Sequence, residues 1–209
     1  AQDSAQPGKV PRGGRRGRDG ARTMTETETL FNGRWLRLRR RGRWEIAERT
    51  NPGGGVIILA VTAAGRLLLV EQWREALGRH AIELPAGLVG DSDGHADERA
   101  VDAAARELTE ETGYRAERVD FLMAGPSSSG MSNEIISVVH ARGLTRVHAG
   151  GGDATEDIRV HEIPLEEVPR WLAARMREGY AVDPKLFAGL YFLEHPDALA
   201  DPAQGNLAS

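Results

Sequence analysis

Glu83-Leu84-Pro85-Ala86-Gly87, a polar loop, then Glu98 and Arg106-Glu107-Leu108-Thr109-Glu110-Glu111-Thr112-Gly113-Tyr114 form the stretch on which the reading of this chain turns. The second half predicts a helix. Val101, Ala104, Ala105, Leu108 and the Thr112 methyl fall on one arc, and Glu107, Glu110 and Glu111 on a neighbouring arc. Like charges at these spacings repel by roughly 0.2–0.5 kcal/mol per pair, so a cation is expected to relieve them. Carboxylates on a rigid element are hard ligands for Mg²⁺ or Mn²⁺, and Mg²⁺ usually bridges protein carboxylates to substrate phosphates. A phosphate-bearing substrate is the first expectation.

An acidic helix alone is more often a solvated face. Here the run continues into Gly113-Tyr114, Glu98 precedes Arg106 by eight residues, and Leu-Pro-Ala-Gly lies upstream. Together Gly87, Glu98, Arg106-Glu107-Leu108, Glu110-Glu111 and Gly113-Tyr114 resemble the Nudix box. Its first half departs from the family pattern: ten residues, rather than five, separate Gly87 from Glu98, so residues 91–97 look like an insertion.

The resemblance implies an α/β fold, a Nudix-type α/β/α sandwich with a mixed sheet. Over Trp44 to Leu193 the chain is similar to ADP-ribose pyrophosphatases and related nucleoside-diphosphate-sugar hydrolases. That similarity rests on Glu71-Gln72-Trp73-Arg74, the 83–87 stretch, Ser129-Gly130-Met131-Ser132-Asn133-Glu134, Glu156-Asp157-Ile158-Arg159-Val160 and Asp183-Pro184-Lys185. It implies Glu107 and Glu111 as metal ligands with Glu110 assisting, the Ala86 carbonyl adding a backbone oxygen, Arg106 orienting the glutamates and Glu98 bracing the helix. Gly87 and Gly113 are implied as structural. Arg74 would meet the substrate phosphates and Glu134 the terminal ribose. Glu156 would position or deprotonate water or hold a further metal, and Trp44 would stack on a base.

The implied reaction is Mg²⁺-dependent hydrolysis, with Mn²⁺ able to substitute, of ADP-ribose to AMP and ribose 5-phosphate. Relatives of that specificity usually carry Pro sixteen residues after the box glycine, where this chain has Ser129. GDP-mannose and ADP-glucose therefore stay open as substrates. A non-catalytic nucleotide sensor is the further alternative, although such a protein is expected to have lost metal ligands that are all present here.

The 209 residues suit one domain with a small appendage, and the net charge of −4 advertises no nucleic-acid partner. There is no cysteine, which excludes a disulfide framework and a thiolate zinc site and fits a cytoplasmic location. No apolar run approaches the ~20 residues of a membrane span.

Residues 1–23, rich in Gly, Arg and Pro, read as a disordered basic prefix or an expression remnant. Residues 24–50 read as a β appendage, with strands Trp35–Arg39 and Trp44–Arg49 joined through Arg41-Gly42-Arg43. Its Trp35 and Trp44 have too little chain to bury themselves, and a homodimer is expected. The hydrolase domain is expected over 51–195. It opens with Val56–Val61 and Leu67–Val70 as a buried hairpin and continues with a strand over 81–87. Strands Val119–Met123, Ile135–His140 and Ile158–Ile163 follow, the last after a flexible acidic loop over 149–157. Helices over Leu165–Arg177 and Pro184–Glu194 close it, the second with Leu186, Phe187, Leu190, Tyr191 and Leu193 as a core stripe, before a tail at 196–209.

Overall fold

The computed structural model describes residues 26–51, 53–90, 97–152, 157–196 and 198. The basic prefix, residues 91–96 of the insertion, Glu156 and nearly all of the tail lie outside them. The chain opens with β1 (Thr27–Asn32), β2 (Leu36–Arg41) and β3 (Trp44–Arg49), an antiparallel sheet in that order. The turn after β2 is two residues long, and Gly42 takes its required positive φ of 60°. β1 is additional to the expected pair.

β4 (Gly55–Ala60) and β5 (Arg66–Arg74) are not the expected hairpin. Beyond an isolated Val61–Leu67 bridge they form no ladder with each other, and they lie in two different four-stranded sheets. Both strands are apolar on both faces, so each is free to sit inside a sheet rather than pair with its sequence neighbour. The strand expected over 81–87 is also two. β6 (Arg79–Glu83) pairs with β5, and β7 (Ala86–Leu88) pairs with β4. Pro85, which has no N–H to donate, lies at the break and offers its carbonyl to the Ile58 amide at 2.8 Å. This switch of sheets carries the chain from the Glu83 side of the cleft to the Gly87 side.

The first helix, α1 (Ala100–Thr112), is followed by β8 (Tyr114–Arg115), β9 (Arg118–Pro126), β10 (Ile135–Arg142), β11 (Thr145–Arg146) and β12 (Arg159–Pro164). A 3₁₀ turn leads into α2 (Val168–Arg177), then β13 (Ala181–Val182) and α3 (Lys185–Glu194). One mixed sheet has the order β7-β4-β10-β9 and the other β12-β5-β6-β13, while β8 and β11 form a short ribbon. Successive residues of β4 face opposite ways. Val56 and Ile58 pack with Ala103, Ala104 and Leu108 of α1, whereas Ile57 and Leu59 pack with Leu172 of α2 and Leu186 of α3. The result is the α/β/α sandwich.

Two expectations about helix faces change. On α1 the buried set is Ala103, Ala104, Leu108 and Thr112 together with Glu107 and Glu111, so two of the carboxylates lie in the stripe rather than beside it. Glu98 precedes the helix. On α3, Leu186 is buried and Leu190 and Leu193 pack against the core as expected, but Phe187 and Tyr191 are 48% and 51% exposed and Gly189 is buried. A side chain at 189 would meet Leu84 Cδ1 at 2.8 Å, so α3 approaches the sheet through its smallest residue. Among the described residues no helix is long and apolar enough to cross a membrane.

Candidate active site

The C-terminal end of the carboxylate helix is held by backbone. Gly113 ends α1 in the left-handed region at φ 73°, and its N–H returns to the Thr109 carbonyl. The last-turn carbonyls find donors in the segment expected to be loose: Gly151 N–H reaches Glu111 O at 2.8 Å and Gly152 N–H reaches Glu110 O at 3.2 Å. The proximal half of the 149–157 loop therefore caps the helix.

Glu107 and Glu111 are 9% and 2% exposed. Glu111 Oε2 accepts the Ala86 N–H at 3.0 Å, and Glu107 lies so close to Gly87 that a methyl there would overlap its carboxyl carbon. Arg106 supplies the cation the sequence demanded. Its Nη1 donates to Glu107 Oε1 at 2.8 Å and to Glu110 Oε2 at 3.2 Å. Its Nε and Nη2 grip both oxygens of Glu98 at 3.2 and 3.1 Å, and Nη2 also reaches the Leu88 carbonyl. Glu98 in turn accepts the Gly90 N–H at 3.1 Å. The hydrogen bond to Glu98 and the charge of Glu107 outweigh desolvation and raise the Arg106 pKa above its ordinary value.

These residues border a cleft of about 570 Å³. Arg74, Ala86, Gly87, Arg106, Glu107, Glu110, Glu111 and Glu134 all line it, although they come from β5, β7, α1 and the loop before β10. Arg74 is paired with Glu83, Nη2 to Oε2 at 2.5 Å. Burial would raise the pKa of Glu134, but hydrogen bonds from Arg49 and Ser127 and the charges of Arg49 and Lys185 leave it below the ordinary carboxylate value. Trp44 is half exposed beside Arg43 and stands outside the cleft of its own chain. Ser129 is exposed and does not line it either; Ser127 does.

Sequence reasoning assigned no role to Arg49, Lys185 or Asp183, which also line the cleft. Lys185 starts α3, with its Nζ 2.5 Å from Asp183 Oδ2. The signals available were an arginine ending a strand just before the Asn51–Gly55 break and the Asp-Pro-Lys helix start. The described lining side chains comprise six carboxylates and four cations.

Hard oxygen donors clustered on one turn, two of them buried, fit a divalent ion. Among the described residues no three such groups are gathered around one point, and Arg106 Nη1 donates to both Glu107 and Glu110.

A family model described as the NUDIX domain matches residues 51–182. The methanol dehydrogenase activator of Bacillus methanolicus is 30% identical over 181 residues, covering 83% of this chain and 93% of that protein. The ADP-ribose pyrophosphatase of Bacillus subtilis (strain 168) is 33% identical over 147 residues, covering 70% of this chain and 75% of its own length. A crystal structure of an ADP compounds hydrolase superposes with a TM-score of 0.63 at 19% identity over 88% of this chain and 96% of that one, and establishes a shared fold. The family match spans more than half of the chain, it includes the carboxylate helix and the strands that carry Arg74 and Ala86, and the chain therefore belongs to the NUDIX family and is a Nudix hydrolase.

Proposed function

We propose that this chain hydrolyses the diphosphate bond of a nucleoside-diphosphate sugar, with ADP-ribose, giving AMP and ribose 5-phosphate, as its substrate. The observation that carries this reading is the set of groups gathered in one cleft: Glu107, Glu110 and Glu111 of α1 line it together with Arg74, Lys185 and the Arg49–Glu134 ion pair. The cations suit a diphosphate and the Glu134 carboxylate suits sugar hydroxyls.

The chain's own residues bind and orient. Arg74 and Lys185, each already beside a carboxylate, exchange Glu83 and Asp183 for phosphate oxygens as substrate enters. Glu134, kept ionised by Arg49, accepts hydrogen bonds from sugar hydroxyls. Arg106 fixes Glu107 against Glu98 so that the carboxylates are set before substrate arrives. In the reaction a water oxygen bonds to phosphorus, the bridging P–O bond breaks, and the water's proton passes to a carboxylate. Glu156, outside the described residues, is the candidate base. When bound, Mg²⁺ or Mn²⁺ held by Glu107, Glu110, Glu111 and the Ala86 carbonyl would neutralise the diphosphate and lower the pKa of the attacking water.

The reading also includes a homodimer and a cytoplasmic location. Phe31, Leu36 and Leu38 share one face of the appended sheet, and Phe31 and Leu36 are 63% and 49% exposed. A second copy would cover them.

The test is phosphatase-coupled phosphate release from ADP-ribose, ADP-glucose and GDP-mannose in Mg²⁺, comparing the protein with Glu111→Gln. ADP-ribose should be turned over fastest, and the variant should lose on the order of 10²-fold or more, since even an outer partner of a metal ligand is worth roughly 10–100-fold. Preference for another sugar would replace ADP-ribose, and equal activity in the variant would displace the carboxylate site.

A further inference from the structure

The outer edge of β3 runs beside the loop that carries Glu134, and three consecutive residues of the strand engage it in register. Ala47 N–H donates to the Met131 carbonyl at 2.8 Å, and Ala47 forms a parallel bridge with Ser132. Glu48 Oε1 accepts from Asn133 Nδ2 at 3.2 Å. Arg49 is ion-paired with Glu134. The loop is closed on itself at its base, where Ser127 N–H meets the Glu134 carbonyl at 3.0 Å, and Glu134 N–H is held by Ser132 Oγ at 2.9 Å. Glu48 is not free to follow Asn133, because Arg39 on β2 holds its other oxygen at 3.2 Å. The chain of contacts thus runs from the middle strand of the appendage to a carboxylate in the cleft.

We infer that the appended sheet is a positioning element for the sugar half of the substrate, with Glu48 as a positioning residue whose hydrogen bond to Asn133 sets where Glu134 stands. This rests on the proposed function. Neither Glu48 nor Asn133 lines the cleft, so their effect reaches substrate only through Glu134 and its loop. The device makes the appendage more than a dimerisation surface: it couples an edge of that sheet to affinity for the sugar. The chemistry is directional. The amide at 133 must donate and the group at 48 must accept, so reversing one partner puts two acceptors face to face, and reversing both restores a donor opposite an acceptor.

The experiment compares the full chain with Asn133→Ala, Asn133→Asp, and Asn133→Asp combined with Glu48→Gln. It uses steady-state kinetics on ADP-ribose in Mg²⁺ and amide hydrogen exchange at Ala47 and Glu134. Asn133→Ala should raise KM about three- to tenfold, the worth of one hydrogen bond, with kcat within about twofold. Asn133→Asp should raise it further, and the reversed pair should recover most of the loss. Exchange at Ala47 and Glu134 should quicken in the single variants and slow again in the reversed pair. Unchanged KM or unchanged exchange in Asn133→Asp overturns the inference. So does a reversed pair no better than Asn133→Asp, which would mean that the charge placed at 133, rather than the donor–acceptor pairing with 48, causes the loss. If no nucleotide sugar is hydrolysed even by the unaltered protein, the proposed function is what fails, and exchange at Glu134 still decides the coupling.

Discussion

Gly87 packs directly against the Glu107 carboxyl group, so closely that any side chain at 87 would occupy the place of Glu107 Cδ. Space, rather than backbone conformation, makes this glycine necessary. Gly87→Ala should therefore displace Glu107 by about an ångström while the fold persists. The expected loss in kcat is on the order of 10²-fold, the typical cost of such a misplacement. Steady-state kinetics over a Mg²⁺ titration, with a melting curve to show that the protein is folded, checks it.

Arg106 is the hinge of the buried charge system. Its side chain is 20% exposed, and that of its partner Glu98 only 5%. Arg106→Met leaves the Glu98 carboxylate buried without its cation, which costs about 3–5 kcal/mol. Thermal unfolding should show a fall in Tm of roughly 10 °C for a chain of this size. Arg106→Lys should fall between the two, because an ammonium keeps the charge but cannot fork across Glu98.

Glu134 gives a pH dependence with a definite sign. Its carboxyl titrates below the ordinary value of about 4.3 in the folded protein, chiefly because Arg49 and Ser127 outweigh its burial. A group depressed on folding stabilises the protein above its unfolded pKa, and that contribution disappears as pH falls through the folded pKa. The stability gap between the protein and Glu134→Gln should be constant near neutrality and shrink once pH drops below the unfolded carboxylate value. Urea unfolding at a series of pH values measures it.

Gly150 sits at φ 77°, and a Cβ there would meet the Thr112 carbonyl carbon at 2.5 Å. Gly150→Ala combines backbone strain with a clash at the end of α1. A loss of about 1–3 kcal/mol is expected, together with reduced kcat, because the same segment caps the carbonyls of Glu110 and Glu111. Denaturant unfolding and kinetics on one preparation separate the two effects.

The apolar face of the appended sheet predicts the assembly state. Sedimentation should give a dimer, and Phe31→Asp with Leu36→Asp should give a monomer whose circular dichroism is unchanged. A monomer before mutation would remove the dimer from the proposed function.

The helix over 100–112, its glycine stop and the presence of a cation among its glutamates were legible in the sequence. They depend on 3.6-residue periodicity, on the left-handed preference of glycine and on repulsion between near neighbours, all of them local. The strands over 55–60, 66–74 and 135–142 were legible as buried runs for the same reason. Their partners were not. Val56–Val61 and Leu67–Val70 look like a hairpin because they are consecutive and apolar, yet a strand buried on both faces carries no record of which neighbour it will bond. Tertiary structure decided that β4 and β5 open into two sheets and that Pro85 passes the chain between them. It also decided that Arg49, from a strand outside the matched family region, would meet Glu134 from a loop 85 residues later. Sequence determined which groups the chemistry has available. Only long-range packing, which spacing along a chain does not encode, decided which of them share one cleft.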